Sequence, residues 1–185
     1  MKLQIKRAPT LGHYAEASAD DIAQFVKNEV IRFVDAHPNE VFSAFAFDCN
    51  VHEEVELNLC LTTSKHLNEI LHYYQTGANG AYYLSDAGIL SLKYNTGDWK
   101  YQCFSSMNCI HDVAYDYFSV NGEEKYRYWI DLLSKVMADF MASPTFADIP
   151  KSEGFKVLVY DHEEEPEDSQ IRLNAIDNNP FFLLD

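Results

Sequence analysis

Residues 41–63 constrain the fold of this chain more than any other stretch. Phe45 and Phe47 alternate with Ala44, Ala46 and Asp48 over 41–49. Val55, Leu57, Leu59 and Leu61 alternate with Glu54, Glu56 and Asn58 over 55–63. Successive strand side chains point to opposite faces, so each run predicts a strand with one apolar face. The break at Asn50, Val51, His52 and Glu53 joins them as a β-hairpin with one buried face. An isolated hairpin is barely stable in water, so other elements must cover that face.

Helical spacing supplies candidates. Ser18 and Asp21 form a capping-box-like start to a helix over 18–36, with Ile22, Phe25, Val26, Val30, Phe33 and Val34 on one face. Pro38 ends it, because the residue before proline avoids the helical region. Ser64 is expected to cap a short helix carrying Leu67, Ile70, Leu71 and Tyr74, which residues 76–80 break. Residues 89–94 read as a short strand and 96–98 as a turn into an aromatic strand over 99–102. Residues 107–118 read as a helix, and 123–141 as a long helix facing the core through Tyr126, Ile130, Leu133, Met137 and Phe140. A strand over 155–160, a short helix over 167–173 and an apolar tail over 181–184 complete the chain. The expected class is α+β (mixed α/β): a largely antiparallel sheet with helices packed against it, in a single layered domain spanning 1–185.

Charge narrows the partners. Asp and Glu number 29 against 14 Lys and Arg, a formal charge of -15, which repels phosphate backbones and anionic membranes. Neither nucleic acid nor a membrane is an expected partner, whereas a basic protein is electrostatically suited. At 47% hydrophobic the chain can fill a core without disulfides. Cys49, Cys60, Cys103 and Cys109 contain no CxxC spacing and read as free thiols of a reducing, cytoplasmic compartment. No apolar h-region follows the charged residues near Met1, and no apolar run reaches membrane length.

Recognisable chemistry is sparse. His13, His37, His52, His66, His72, His111 and His162 are scattered, and none has the helix-face or knuckle spacing of a zinc site. His66 and His72 fall on different faces, and Cys109 and His111 diverge in the expected helix. Gly77 and Gly80 lack the Lys-Ser/Thr of a P-loop, and no GxSxG elbow occurs. No catalytic residue, metal ligand or cofactor is therefore assigned. The strongest local charge feature is Asp161, Glu163, Glu164, Glu165, Glu167 and Asp168. Its plainer reading is a solvated loop, with Pro166 in the first turn of the next helix. Its functional reading is a carboxylate surface presented to a basic protein.

Several of these segments together resemble the bacterial family known as domain of unknown function 4303. They are the first helix, residues 42–48 and 57–62, residues 95–101, the long helix and residues 157–160. The family's C-terminal S-x-x-R-L-N pattern is matched around Ile171, Arg172, Leu173 and Asn174, with Ser169 in the serine position. The resemblance implies a compact α/β domain and carries over no functional residue. Its members are akin in style to immunity proteins that accompany bacterial toxins, an analogy rather than a residue match. The leading expectation is a non-enzymatic, immunity-like or regulatory protein that binds a basic partner through an acidic face. The alternatives are an enzyme with a dispersed site using Asp48, His111 or a cysteine, and a homodimer built on the apolar tail.

Overall fold

The computed structural model describes residues 15–51, 55–78, 80–111, 121–161 and 164–176. A two-residue strand, β1 (Ala15–Glu16), precedes helix α1 (Ala19–Ala36). The expected capping box is present: Ser18 Oγ accepts from the Asp21 amide at 3.2 Å, and the Ser18 amide donates to Asp21 Oδ2 at 3.1 Å. Ile22, Val26 and Val30 are then buried at intervals of four, the spacing that keeps one helical face on the core.

Strands β2 (Phe42–Asn50) and β3 (Glu56–Thr62) pair antiparallel, with Phe45 opposite Leu61 and Asp48 opposite Asn58. Helix α2 (Ser64–Gln75) follows. Its N-cap is Thr63 rather than Ser64, and Thr63 Oγ1 accepts from the His66 amide at 3.2 Å. A 3-10 turn at Tyr82–Leu84 leads into α3 (Asp86–Tyr94), and another at Thr96–Asp98 leads into β4 (Tyr101–Asn108) and β5 (Ile110–His111). Helices α4 (Gly122–Met141) and α5 (Pro144–Ala147), strand β6 (Lys151–Asp161) and helix α6 (Pro166–Ile176) complete the order.

The main sheet runs β4-β3-β2-β6. Two of its three pairings are antiparallel; β2 and β6 are parallel, so the sheet is mixed. A parallel pair needs a long crossover, supplied here by everything between the hairpin and β6. The small sheet of β1 and β5 is antiparallel. Phe45, Phe47, Leu57, Leu59, Leu61, Val157 and Val159 form one face of the main sheet and belong to the same core as Ile22 and Val26 of α1 and Trp129, Leu133, Met137 and Phe140 of α4.

The other face is not left to solvent. Ala44, Ala46, Cys60, Leu158 and Tyr160 make a second, smaller core with Trp99, against which Leu67 of α2 and Tyr94 of α3 pack. The expectation of one buried face is thus corrected: the alanines are small enough to admit a helical layer on that side as well. Residues 89–94 are helix, not strand. Ser85 Oγ caps α3 by accepting from the Gly88 amide at 3.1 Å, and a side chain at Gly88 would collide with the Tyr82 carbonyl. The helix expected over 107–118 is also corrected, because Met107 and Asn108 end β4 while Ile110 and His111 pair with β1. Its remainder and the apolar tail lie outside the described residues.

Strand β6 is an edge, and an unpaired edge invites association with other strands. Helix α6 covers it. Ser169 Oγ accepts from the Val159 amide at 2.8 Å, while Gln170 Nε2 donates to the Val157 carbonyl at 3.0 Å and Arg172 Nη2 to the Val159 carbonyl at 2.9 Å. The S-x-x-R segment is therefore a backbone clamp. Ser169→Ala leaves a buried amide without its acceptor and is expected to cost about 1–3 kcal/mol in chemical denaturation. A change within experimental error would show that the edge is satisfied in another way.

Candidate functional site

Parallel pairing places Asp48 of β2 beside Tyr160 of β6, on the face covered by α2 and α3. Thr96, from the turn after α3, reaches both: its hydroxyl donates to Asp48 Oδ2 at 2.6 Å and lies 2.9 Å from the Tyr160 hydroxyl. The Tyr160 hydroxyl in turn donates to the Tyr94 carbonyl at 3.2 Å. Burial pushes the Tyr160 phenol up to about 12, against the Thr96 hydrogen bond, and nearby Asp48 adds to the rise. Tyr160 therefore stays a neutral hydrogen-bonding group at ordinary pH.

The turn holding Thr96 is fixed by a set of hydrogen bonds. Asn95 Oδ1 accepts from the Gly97 amide at 3.2 Å, and Asn95 Nδ2 donates to Asp98 Oδ2 at 2.7 Å. Tyr74 donates to Asp98 Oδ1 at 2.8 Å, and Trp99 Nε1 donates to the Lys93 carbonyl at 3.0 Å. Asn and Asp side chains that bond neighbouring backbone are the usual makers of such turns.

Above Asp48, Thr96 and Tyr160 opens a cleft of about 580 Å³. Its walls come from Tyr82, Leu90 and Tyr94 on one side and from Glu164, Glu165 and Glu167 on the other. Among the described residues four carboxylates line it, and no lysine or arginine does. The space suits a cation, which carboxylates attract and tyrosine rings hold through their negative faces.

The described members of the acidic run singled out in the sequence, Asp161, Glu164, Glu165, Glu167 and Asp168, lie in different environments. Asp161 is wholly buried, and its Oδ2 accepts from the Val51 amide at 2.7 Å, which ties the end of β6 to the segment after β2. Glu164 is held by Arg172 through two hydrogen bonds of 2.7 Å. Burial pushes the Glu164 carboxyl up, but Arg172 and the Tyr126 hydroxyl together outweigh it and leave the group below its ordinary value. Glu165, Glu167 and Asp168 are exposed, the first two on the cleft, and Glu163 lies outside the described residues.

The residues of the enzymatic alternative are dispersed. Asp48 lies in the cleft, but His111 sits in β5 opposite Ala15. Cys49, Cys60 and Cys109 are buried, and burial raises all three thiols, Cys109 up to about 12. Thiols held protonated in this way attack slowly unless the target is held beside them, which argues against a catalytic cysteine. His37 and His66 bond the carbonyls of Phe33 and Asp98 and serve local structure. Among the described residues no three His, Cys, Asp or Glu side chains are grouped to hold a metal, and no helix is long and apolar enough to cross a membrane.

No motif or spacing in the sequence singles out Thr96, Tyr160 or Tyr94 as site residues. A signal did exist, since residues 95–101 and 157–160 both carry the family resemblance and meet at this cleft. No curated protein and no solved structure matches the chain. The family described as Domain of unknown function (DUF4303) matches residues 22–177, which spans α1 to the end of α6, and the chain belongs to that family.

Proposed function

We propose that this domain is a non-enzymatic binding protein, immunity-like or regulatory, that receives basic side chains of a partner protein at the cleft between α3 and α6. One observation carries the reading. Two exposed members of the acidic run, Glu165 and Glu167, line the same cleft as Asp48, Tyr82 and Tyr94, with no basic side chain lining it among the described residues. The formal charge of -15 adds a long-range field that speeds encounter with a cationic partner. The immunity-like part rests on charge and analogy, since acidic proteins are natural blockers of basic toxin domains. The enzymatic alternative draws on the Asp48–Thr96–Tyr160 chain. It is the weaker reading, because Thr96 and Tyr160 are only 4% and 6% exposed and their bonds serve to join β2, β6 and the turn.

An arginine-rich peptide is a suitable probe. It is expected to bind the full chain at low salt and to be released as salt rises. Glu165→Lys combined with Glu167→Lys is expected to weaken that binding about tenfold or more. The control is Glu123→Lys with Glu124→Lys on α4, which changes the net charge equally at exposed positions away from the cleft. Equal losses in the two variants would mean that net charge alone is at work, and the cleft would no longer be the site.

A further inference from the structure

Between the pairs Leu59–Ser105 and Leu61–Tyr101, β3 contains one residue, Cys60, whereas β4 contains three, Gln102, Cys103 and Phe104. The surplus is taken up in a bulge, where Cys103 adopts a left-handed backbone with φ +42°. The distortion brings two thiols together. The Cys103 amide donates to Cys60 Sγ at 3.3 Å. The bulge, not regular pairing, sets their separation, and the 3.3 Å contact seats Cys60 Sγ against the Cys103 backbone, the neighbourhood a disulfide between the two requires.

We propose that Cys60 and Cys103 form a reversible, redox-active dithiol that closes to a cross-strand disulfide by exchange with a low-molecular-weight disulfide such as oxidised glutathione. The two cysteines differ in a way that sets the order of events: Cys60 is fully buried, while Cys103 is exposed. The Cys103 thiolate attacks one sulfur of the small disulfide, forms a mixed disulfide and releases one thiolate, which takes up a proton. Cys60 then gives its proton to solvent and attacks the Cys103 sulfur, which expels the second small thiol. Two protein thiols are oxidised and one small disulfide is reduced to two thiols, so atoms and electrons balance. Burial, with Asp48 of β2 and Glu56 of β3 nearby, raises the Cys103 thiol, so little thiolate is present and the first attack is slow. The second step is intramolecular and needs no encounter. Cys49 and Cys109 are fully buried and stand outside the exchange.

The test uses the full reduced chain incubated with oxidised glutathione under native conditions, then alkylated and analysed by intact mass and peptide mapping. The expected result is loss of the Cys60 and Cys103 thiols together, a mass lower by two hydrogens and a peptide cross-link between them, all reversed by dithiothreitol. Cys60→Ser is expected to trap glutathione on Cys103, and the surface variant Cys103→Ser to take up none and form no cross-link. Three results overturn the proposal: glutathione that stays on Cys103 in the unsubstituted chain, a cross-link that joins another pair, or Cys60 and Cys103 thiols that remain unreacted. The cross-link map of the unsubstituted chain decides the matter even where a Cys60 variant does not fold.

Discussion

Phe45→Ala is expected to lower the unfolding free energy by about 3–5 kcal/mol, the range for emptying an aromatic site in a packed core. Phe45 is fully buried on β2, between Leu61 of β3 and Val157 of β6. Its ring meets Phe47 edge-on at 5.7 Å and Phe140 of α4 at 5.6 Å. Ladders on both sides fix the β2 backbone, so neighbouring side chains cannot close on the space left behind. A domain of this kind has about 5–15 kcal/mol to lose, so the fraction removed is large. In urea the transition midpoint is expected to fall while its slope holds, since the surface exposed on unfolding changes little. Tyr128→Ala, at a residue 53% exposed on α4, is expected to change stability by about 0.5 kcal/mol or less. Equal effects at the two positions would remove β2 from the centre of the core.

The hairpin was legible because large apolar residues on both strands alternate with small or polar ones. Its second covered face was not, since Ala44, Ala46 and Cys60 carry no strong preference for either side of a sheet. Helix α3 reads as a strand because Ile89, Leu90 and Leu92 are apolar within a run too short to show a helical period. The discriminating signal was Ser85 followed by Asp86, a cap that outweighs the local strand preference. Neither the parallel partner of β6 nor its place at the sheet edge can be read locally, because both depend on the path of the chain across the sheet.

The acidic run shows the same limit at the site. Counting carboxylates finds the cluster but not their environments. Asp161 is turned inward by an amide 110 positions away, and Glu164 is neutralised by Arg172 on the next helix. Only Glu165, Glu167 and Asp168 are left facing solvent among the described members. Thr96 joins Asp48 across 48 positions and Tyr160 across 64, separations at which no spacing rule operates.

Arg172→Ala is expected to cost about 3–5 kcal/mol near neutral pH, because breaking a largely buried ion pair strands its partner. The side chains of Arg172 and Glu164 are only 18% and 15% exposed. The substitution removes both hydrogen bonds to Glu164 and the donor to the Val159 carbonyl at the sheet edge. The pH dependence separates this ion pair from simple loss of packing. In the intact protein the Glu164 carboxyl lies below its ordinary value of 4.5. Its stabilising contribution is therefore complete above that value and is lost as pH falls through the lowered one. In the arginine variant burial acts with much less opposition and raises the same carboxyl, so protonation stabilises the variant as pH falls. The stability gap between the two proteins is thus expected to be widest near pH 7 and to narrow below about pH 5. Chemical denaturation across that range measures it, with Glu164→Gln as the variant that cannot titrate. A gap that stays constant with pH would mean that Arg172 acts through its bond to Val159 and its packing, and that Glu164 adds nothing to the clamp.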